Sequence, residues 1–353
     1  MYDTAILIGR FEPVHAGHVA LLREALARAQ RAIAIVGSAH QARTPKNPFT
    51  WTEREAMLRG ALPAQDAARL TVLPVRDYYN EAVWVRAVRE AVARLAGTHE
   101  RIALVGHFKD ATSSYLDAFP DWELVRMERQ GGMDATTLRD AYFGATPDTL
   151  AAALAPLAGD IPPATHRLLE QFARTPHYAA LQQEWRMLRD YRQAWAAAPY
   201  PPIFVTVDAV LRCQDHVLLI RRAHAPGKGL LAVPGGFIEP RETLWQSCLR
   251  ELAEETHCAA PEAALRAALR AVTVFDHPDR SQRGRTITHA HYFDLGDAPL
   301  PAVRADDDAA QAQWLPVGQL ADREEAFFED HFHMLDHFLG LTPRPATDFS
   351  PPA

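Results

Sequence analysis

Short apolar runs mark the first third of the chain, separated by stretches with helical spacing. Residues 4–8, closing on Gly9, and residues 32–36, 70–75, 102–105 and 123–127 each read as a short strand. Val19, Leu21, Leu22, Ala25 and Leu26 fall on one helical face after the first run, and residues 82–95 repeat that spacing. Strands alternating with helices predict an α/β fold with a doubly wound parallel sheet, whose ligands lie beyond the carboxyl ends of the strands. From residue 147 the pattern turns alanine-rich and helical, over 150–157 and 168–195, with Pro162-Pro163 between. It stops at Ala198-Pro199-Tyr200-Pro201-Pro202, which no helix crosses easily. Beyond that junction, residues 204–210 and 216–221 read as paired strands around a polar turn. Thr243 followed by Gln246 is a capping-box signature for a helix. Residues 271–275 and 286–295 supply two more strands. The expected organisation is a first domain at 1–146, a helical connector at 147–198 packed on it, a second domain at 199–341 and a Pro-rich disordered tail at 342–353.

Composition adds limits. The chain has 353 residues, enough for two cores, with 48% hydrophobic and 23% charged residues. A net charge of -7 argues against a general nucleic-acid binder. Cys213, Cys248 and Cys258 are three cysteines with no CxxC pair, which suits a reducing compartment. The start MYDTAILIGRF has neither a basic leader nor a long apolar segment, so the expectation is a cytoplasmic protein without a membrane span. Oligomeric state stays open, a homo-oligomer included.

Two stretches carry chemistry. The first is Gly9-Arg10-Phe11-Glu12-Pro13-Val14-His15-Ala16-Gly17-His18, at a strand end and opening a helix. Free N–H groups and the helix dipole favour phosphate there, and His15 and His18 add donors suited to a phosphoryl-transfer transition state. Later, Gly131-Gly132-Met133-Asp134-Ala135-Thr136-Thr137-Leu138-Arg139 reads as a helix start. Asp134 is its N-cap; Thr136, Thr137 and the Arg139 fork can meet phosphates there, and a plain capped helix is the other reading of the same residues. The second stretch runs over 236–258. Gly236, five residues, Glu242, seven residues, then Arg250-Glu251-Leu252-Ala253-Glu254-Glu255 place a row of carboxylates along one helix. Glu251 and Glu255 are one turn apart and repel, and a hard divalent cation would relieve that. The charged loop 276–285 offers Arg280, Arg283 and Arg285 as further substrate contacts. His289 with His291, and His333 with His337, lack the additional ligands of a closed zinc site.

The 236–258 spacing resembles the Nudix box at every motif position except the late glycine, here His257. That resemblance implies a mixed-sheet α/β/α hydrolase domain, with Glu251, Glu254 and Glu255 as ligands of magnesium or manganese and Glu242 mainly structural beside Arg250. Its general base is left open among the motif glutamates and Glu324, Glu325 and Glu329. The 9–18 loop and the 131–139 turn resemble the nucleotidyltransferase signature, which implies a Rossmann-like domain binding ATP through Gly9, Arg10, Phe11, His15, His18, Thr136, Thr137 and Arg139. Segments 47–54, 80–84 and 106–110 resemble the nicotinamide mononucleotide (NMN) adenylyltransferase branch, which implies Asn80 and Trp84 against the nicotinamide ring. Trp84 also continues the apolar stripe Val88, Ala91 and Leu95, so a core role stands beside that one. Flavin mononucleotide and phosphopantetheine are the alternative acceptors.

Nearly the whole chain resembles the bifunctional NMN adenylyltransferase/Nudix hydrolase family, implying NAD synthesis from ATP and NMN with hydrolysis of ADP-ribose to AMP and ribose 5-phosphate. The alternatives are a hydrolase half acting on NADH or a sugar nucleotide, or an ADP-ribose-sensing regulator. The intact glutamates and the non-basic residues after Asp330 argue against the regulator.

Overall fold

The computed structural model describes residues 1–97, 99–106, 117–128 and 134–342. The chain divides into two compact units, Met1–Trp185 and Arg186–Ala353. The division falls within a helix, ahead of the Pro-rich junction at which the sequence places it.

In the first unit the elements are β1 (Tyr2–Gly9), α1 (Ala16–Arg28), β2 (Ala29–Val36), α2 (Trp51–Gly60), α3 (Ala64–Ala67), β3 (Leu70–Pro74), α4 (Glu81–Ala93), β4 (Ile102–Gly106), β5 (Glu123–Arg126) and α5 (Ala135–Gly144). The sheet order is β3-β2-β1-β4-β5, with every pairing parallel. Ala5, Ile6, Ile33, Ala34, Leu104 and their neighbours are buried on both faces, as an all-parallel sheet demands. Neighbours of β1 lie on both sides of it, so the loop leaving β1 opens at the point where the strand order reverses.

Three helices then close one face: α6 (Leu150–Leu154), α7 (Pro163–Phe172) and α8 (Pro176–Ala194). Leu150, Leu154, Leu169, Phe172, Tyr178 and Trp185 join the same core as α1 and α5. The Tyr178 hydroxyl donates to the Tyr142 and Ala145 carbonyls at 2.6 and 2.7 Å, and Trp185 donates to Asp140 at 2.9 Å. The single helical stretch expected over 168–195 is broken between α7 and α8. Pro176 lacks the N–H a continuous helix needs there, and it opens the second helix instead.

In the second unit the elements are β6 (Ile203–Cys213), β7 (His216–Arg222), β8 (Leu231–Ala232), β9 (Gly235–Phe237), α9 (Leu244–Thr256), α10 (Glu262–Ala268), β10 (Leu269–Phe275), β11 (Arg285–Asp294), β12 (Ala309–Pro316) and α11 (His331–Leu339). The main sheet runs β10-β11-β6-β7-β12, with β8 on β7 and β9 on β6. The β6–β11 pair is parallel while the β10–β11, β6–β7 and β7–β12 pairs are antiparallel, so the sheet is mixed. One face packs Val207, Ala209 and Leu211 with Cys248 and Leu252 of α9. The other packs Val210 and Ala290 with Phe332 and Leu335 of α11. Among the described residues, no helix is long and apolar enough to cross a membrane.

Candidate active sites

In the β1–α1 loop, Phe11 takes a positive φ of 57° and His15 caps α1. His15 Nδ1 accepts the Gly17 N–H at 3.2 Å, and His18 Nδ1 accepts the His15 N–H at 3.3 Å. With both Nδ1 atoms accepting, each neutral ring carries its proton on Nε2. The two rings lie 3.8 Å apart, and His18 rests edge-on to buried Phe11 at 4.9 Å. A side chain at Gly9 would come within 3.1 Å of the Phe11 ring, so this strand end stays bare. Arg10 is exposed.

From α5, Arg139 reaches the same loop, donating to the Glu12 carbonyl at 2.6 Å and to Thr136 Oγ1 at 3.1 Å. Burial lowers its pKa to about 10, with the Arg10 charge adding to the effect. Asp134 caps α5 by accepting the Thr137 N–H at 2.8 Å, and Thr136 and Thr137 are exposed at that helix start. Residues 131–133 of the turn and 107–110 of the third substrate segment lie outside the described residues. Asn80 is the N-cap of α4, accepting the Val83 N–H at 3.1 Å. Trp84 meets Phe119 edge-on at 6.0 Å, and Phe119 stacks on Trp122. Trp84 is half-buried and packs against the core beneath α4.

Sequence reasoning missed the buried pair below this loop. Arg54 of α2 is 1% exposed and donates to the Arg10 and Gly37 carbonyls at 2.8 Å and to Ser38 at 3.3 Å. Its Nε lies 3.2 Å from Glu12, which is 2% exposed and also accepts the Phe49 N–H. Arg54 thus ties the β1–α1 loop to the end of β2. Burial raises the Glu12 pKa to about 8, against the pull of Arg54 and the Phe49 N–H.

In the second unit, Thr243 and Gln246 form the capping box of α9, and the acidic face follows. Arg250 is its hub. Its Nε lies 3.0 Å from Glu242, its Nη1 donates to Glu251 and Glu254 at 2.8 and 2.9 Å, and its Nη2 donates to the Phe237 carbonyl at 3.0 Å. Ser247 Oγ donates to the same Glu242 oxygen at 2.7 Å. Glu255 is 3% exposed and accepts the Gly235 N–H at 2.9 Å. Burial raises its pKa to about 8, partly offset by the Gly235 N–H and reinforced by Glu251. Burial also raises Glu251, against Arg250. A Cβ at Gly236 would meet the Glu251 carboxyl at 2.6 Å, so any side chain there would displace that carboxylate.

Among the described residues, no three His, Cys, Asp or Glu side chains converge as a metal cluster, and one cation, Arg250, bridges Glu251 and Glu254. The donor set still suits a hard divalent ion: crowded carboxylate oxygens, two of them destabilised as anions by burial, beside a bare glycine. The helix exits through His257 at φ 41°, where the box calls for glycine, and His257 Nε2 pairs with Asp306 at 2.8 Å.

The three loop arginines separate. Arg280 is 4% exposed and bidentate on Asp330, both contacts 2.8 Å, so its fork anchors the loop to the start of α11. Arg285 donates to the Asp276 carbonyl within its own loop. Arg283 lies 4.9 Å over the Phe237 ring. Of the later glutamates, Glu324 is buried, Glu325 is exposed, and Glu329 accepts from Ser281 Oγ and the Gln282 N–H at 2.9 and 3.1 Å.

A phosphate loop at the switch point of a parallel sheet, followed by a mixed sheet bearing an acidic helix, defines a nucleotidyltransferase-like unit joined to a Nudix unit. The cytidylyltransferase-like family model matches residues 6–87, and the NUDIX domain model matches 202–338. A nicotinamide/nicotinic acid mononucleotide adenylyltransferase of Acinetobacter baylyi is 33% identical over 52% of this chain and 94% of its own length. An ADP-ribose pyrophosphatase of Methanocaldococcus jannaschii is 34% identical over 33% of this chain and 63% of its own. A bifunctional NMN adenylyltransferase/ADP-ribose pyrophosphatase of Francisella tularensis superposes with a TM-score of 0.89 at 33% identity, covering 96% of this chain and 99% of that one. The same Francisella protein, solved with AMP and a manganese ion, gives a TM-score of 0.87. The chain belongs to the family of bifunctional NMN adenylyltransferase/ADP-ribose pyrophosphatases.

Proposed function

We propose that the first unit transfers an adenylyl group from ATP to NMN, forming NAD and pyrophosphate, and that the second hydrolyses ADP-ribose to AMP and ribose 5-phosphate. The observation that carries this reading is the presence, in one chain, of the adjacent His15–His18 pair at the β1–α1 loop and the Glu251–Glu255 carboxylate row, with a bifunctional relative matched over 96% of the length.

In the first unit the attacking phosphate of the mononucleotide is already an anion, so no general base is needed. His15 and His18 donate from Nε2 to the phosphate oxygens of ATP, and the Arg139 fork and the N–H groups opening α5 take up charge as pyrophosphate leaves. Buried Glu12 and Arg54 hold the loop in shape beneath them. Asn80 and Trp84, at the start of α4, contact the nicotinamide ring of the acceptor.

In the second unit Glu251, Glu254 and Glu255 would hold magnesium or manganese, with Arg250 keeping Glu242 as its fixed partner. A bound divalent ion supplies water activation and charge neutralisation there. Glu329 is the best placed of the later glutamates to take the water's proton: Ser281 and Gln282 fix it, and Arg222 lies within electrostatic reach of both Glu329 and Glu255.

A substrate panel tests the whole reading. The full chain with magnesium is offered nicotinamide or nicotinic acid mononucleotide with ATP, and separately ADP-ribose, NADH and sugar nucleotides, with products separated by chromatography. NAD from the first set and AMP from ADP-ribose are expected; turnover of NADH or sugar nucleotides in preference to ADP-ribose would overturn the hydrolase assignment.

A further inference from the structure

The turn that carries Gly235 and Gly236 is held from three sides. β8 ends at Ala232 and β9 begins at Gly235, so Val233 and Pro234 lie between two strands. Proline has no N–H, which leaves two backbone donors in the run from Val233 to Gly235. The Gly235 N–H goes to Glu255 Oε2 at 2.9 Å. The Val233 N–H goes to His331 Nδ1 at 3.1 Å, and both residues are buried, Val233 at 1% and His331 at 7% exposed. On the third side the Pro234 carbonyl accepts the Ala209 N–H at 2.8 Å. A Cβ at Gly235 would meet the Val207 carbonyl oxygen at 2.3 Å, so the turn lies pressed against β6.

His331 opens α11, and the segment leading to it is itself fixed. Phe327 forms a parallel bridge with Leu231, the Phe328 N–H donates to the Leu231 carbonyl at 2.9 Å, and the Phe328 ring lies 5.5 Å from that of His331. Glu329 takes a φ of 44°, in the left-handed region that a residue with a Cβ disfavours. Such a residue persists where its surroundings over-determine it. Here Asp330, bidentate on buried Arg280 at 2.8 Å, and the His331–Val233 bond hold the chain on its far side. A buried backbone N–H needs an acceptor, and an imidazole accepts only on an unprotonated nitrogen. Burial keeps His331 well below the ordinary histidine range, so the ring is the neutral acceptor that Val233 requires.

We infer that His331 is a positioning residue for the hydrolytic reaction: by accepting the Val233 N–H it sets the Gly235–Gly236 backbone, which fixes Glu255 through the Gly235 N–H and leaves the space beside Gly236 that the Glu251 carboxyl occupies. This rests on the reading of Glu251 and Glu255 as ligands of a divalent ion.

The test titrates the full chain with manganese(II) in the absence of nucleotide, reading free ion by electron paramagnetic resonance, and measures kcat and KM for ADP-ribose hydrolysis beside it. Asparagine can place its carbonyl oxygen where Nδ1 sits, whereas glutamine carries its oxygen one bond farther out. His331→Gln is expected to weaken manganese binding and to lower kcat, each on the order of tenfold to a hundredfold, the range for a group one step removed from a metal, with KM at the parent value. His331→Asn should recover most of both losses. Parent-like manganese affinity in His331→Gln overturns the inference even if kcat falls, and so do equal losses in the Asn and Gln variants, because packing alone would give either result. Glu255→Gln is the reference. If it binds manganese as the parent does, the metal reading of α9 has failed and the inference falls with it; if it binds weakly while His331→Gln does not, only the inference falls. Should His331→Gln not fold, amide hydrogen exchange of the parent decides. Magnesium should slow exchange over residues 233–236, and unaltered exchange there overturns the coupling.

Discussion

At the scale of single residues, the groups visible in the sequence are those whose spacing reports their environment, such as His15 and His18 at a strand end or Glu251 and Glu255 one turn apart. Groups whose partners are far along the chain are not visible. Arg280 reads as a free cation until Asp330, fifty residues away, closes on it at 2.8 Å. Glu12 reads as one more loop residue until Arg54 and the Phe49 N–H enclose it. That enclosure has a pH signature. Burial raises the folded-state pKa of Glu12 from 4.5 to about 8, so the folded chain holds a proton that the unfolded chain releases earlier. The stabilising contribution is therefore complete below about pH 4.5 and is lost as pH rises to about 8. In Glu12→Gln, which cannot titrate, this loss is absent. Urea unfolding across about pH 5 to 8.5 should show the parent losing stability more steeply than the variant, while parallel curves would mean that Glu12 is ionised throughout.

At the scale of elements, the first unit was legible because its central parallel strands β1, β2 and β4 are buried on both faces over most of their length and so read as apolar runs. β12 was not: Ala309–Pro316 lies at one edge of its sheet, and its alternation of Ala310, Ala312 and Trp314 with Gln311 and Gln313 rests mostly on alanine, a weakly apolar residue that is depleted in strands. The break between α7 and α8 was also missed, because helical spacing on either side of Pro176 masks the one residue that forbids continuity. The exit of α9 shows how a motif position tolerates substitution. His257 occupies the left-handed region at φ 41°, where a residue with a Cβ costs roughly 1 kcal/mol or more relative to glycine. The Asp306 contact at 2.8 Å offsets part of this. His257→Gly is thus expected to change stability by no more than about 0.5 kcal/mol, trading one term for the other. His257→Val, β-branched and without the Asp306 contact, should be destabilised by about 1–2 kcal/mol or more. Denaturant midpoints at constant m-value separate the two, and equal midpoints would show that Asp306, not backbone conformation, governs the exit.

At the scale of the molecule, each unit builds its own core: α6, α7 and Tyr178 to Trp185 of α8 complete the first, while α9 and α11 cover opposite faces of the sheet in the second. On the proposed reading each also carries its own set of phosphate-directed groups: His15, His18 and Arg139 in the first for the charge that builds on departing pyrophosphate, and Glu251, Glu254 and Glu255 in the second for a cation. Because no residue is shared between these sets, the two activities should be separable by point substitution. His18→Ala removes one Nε2 donor and is expected to lower adenylyl transfer by on the order of a hundredfold, leaving ADP-ribose hydrolysis at the parent rate. Glu255→Gln keeps the Gly235 N–H bond but removes the carboxylate charge. It is expected to lower hydrolysis by more than the ~10–100-fold typical of a group one step removed from a metal, with NAD formation unchanged. Assaying both reactions on each variant gives four rates. Loss of both activities in either variant would mean that the two units depend on one another for catalysis, and unchanged hydrolysis in Glu255→Gln would remove Glu255 from the metal-binding set.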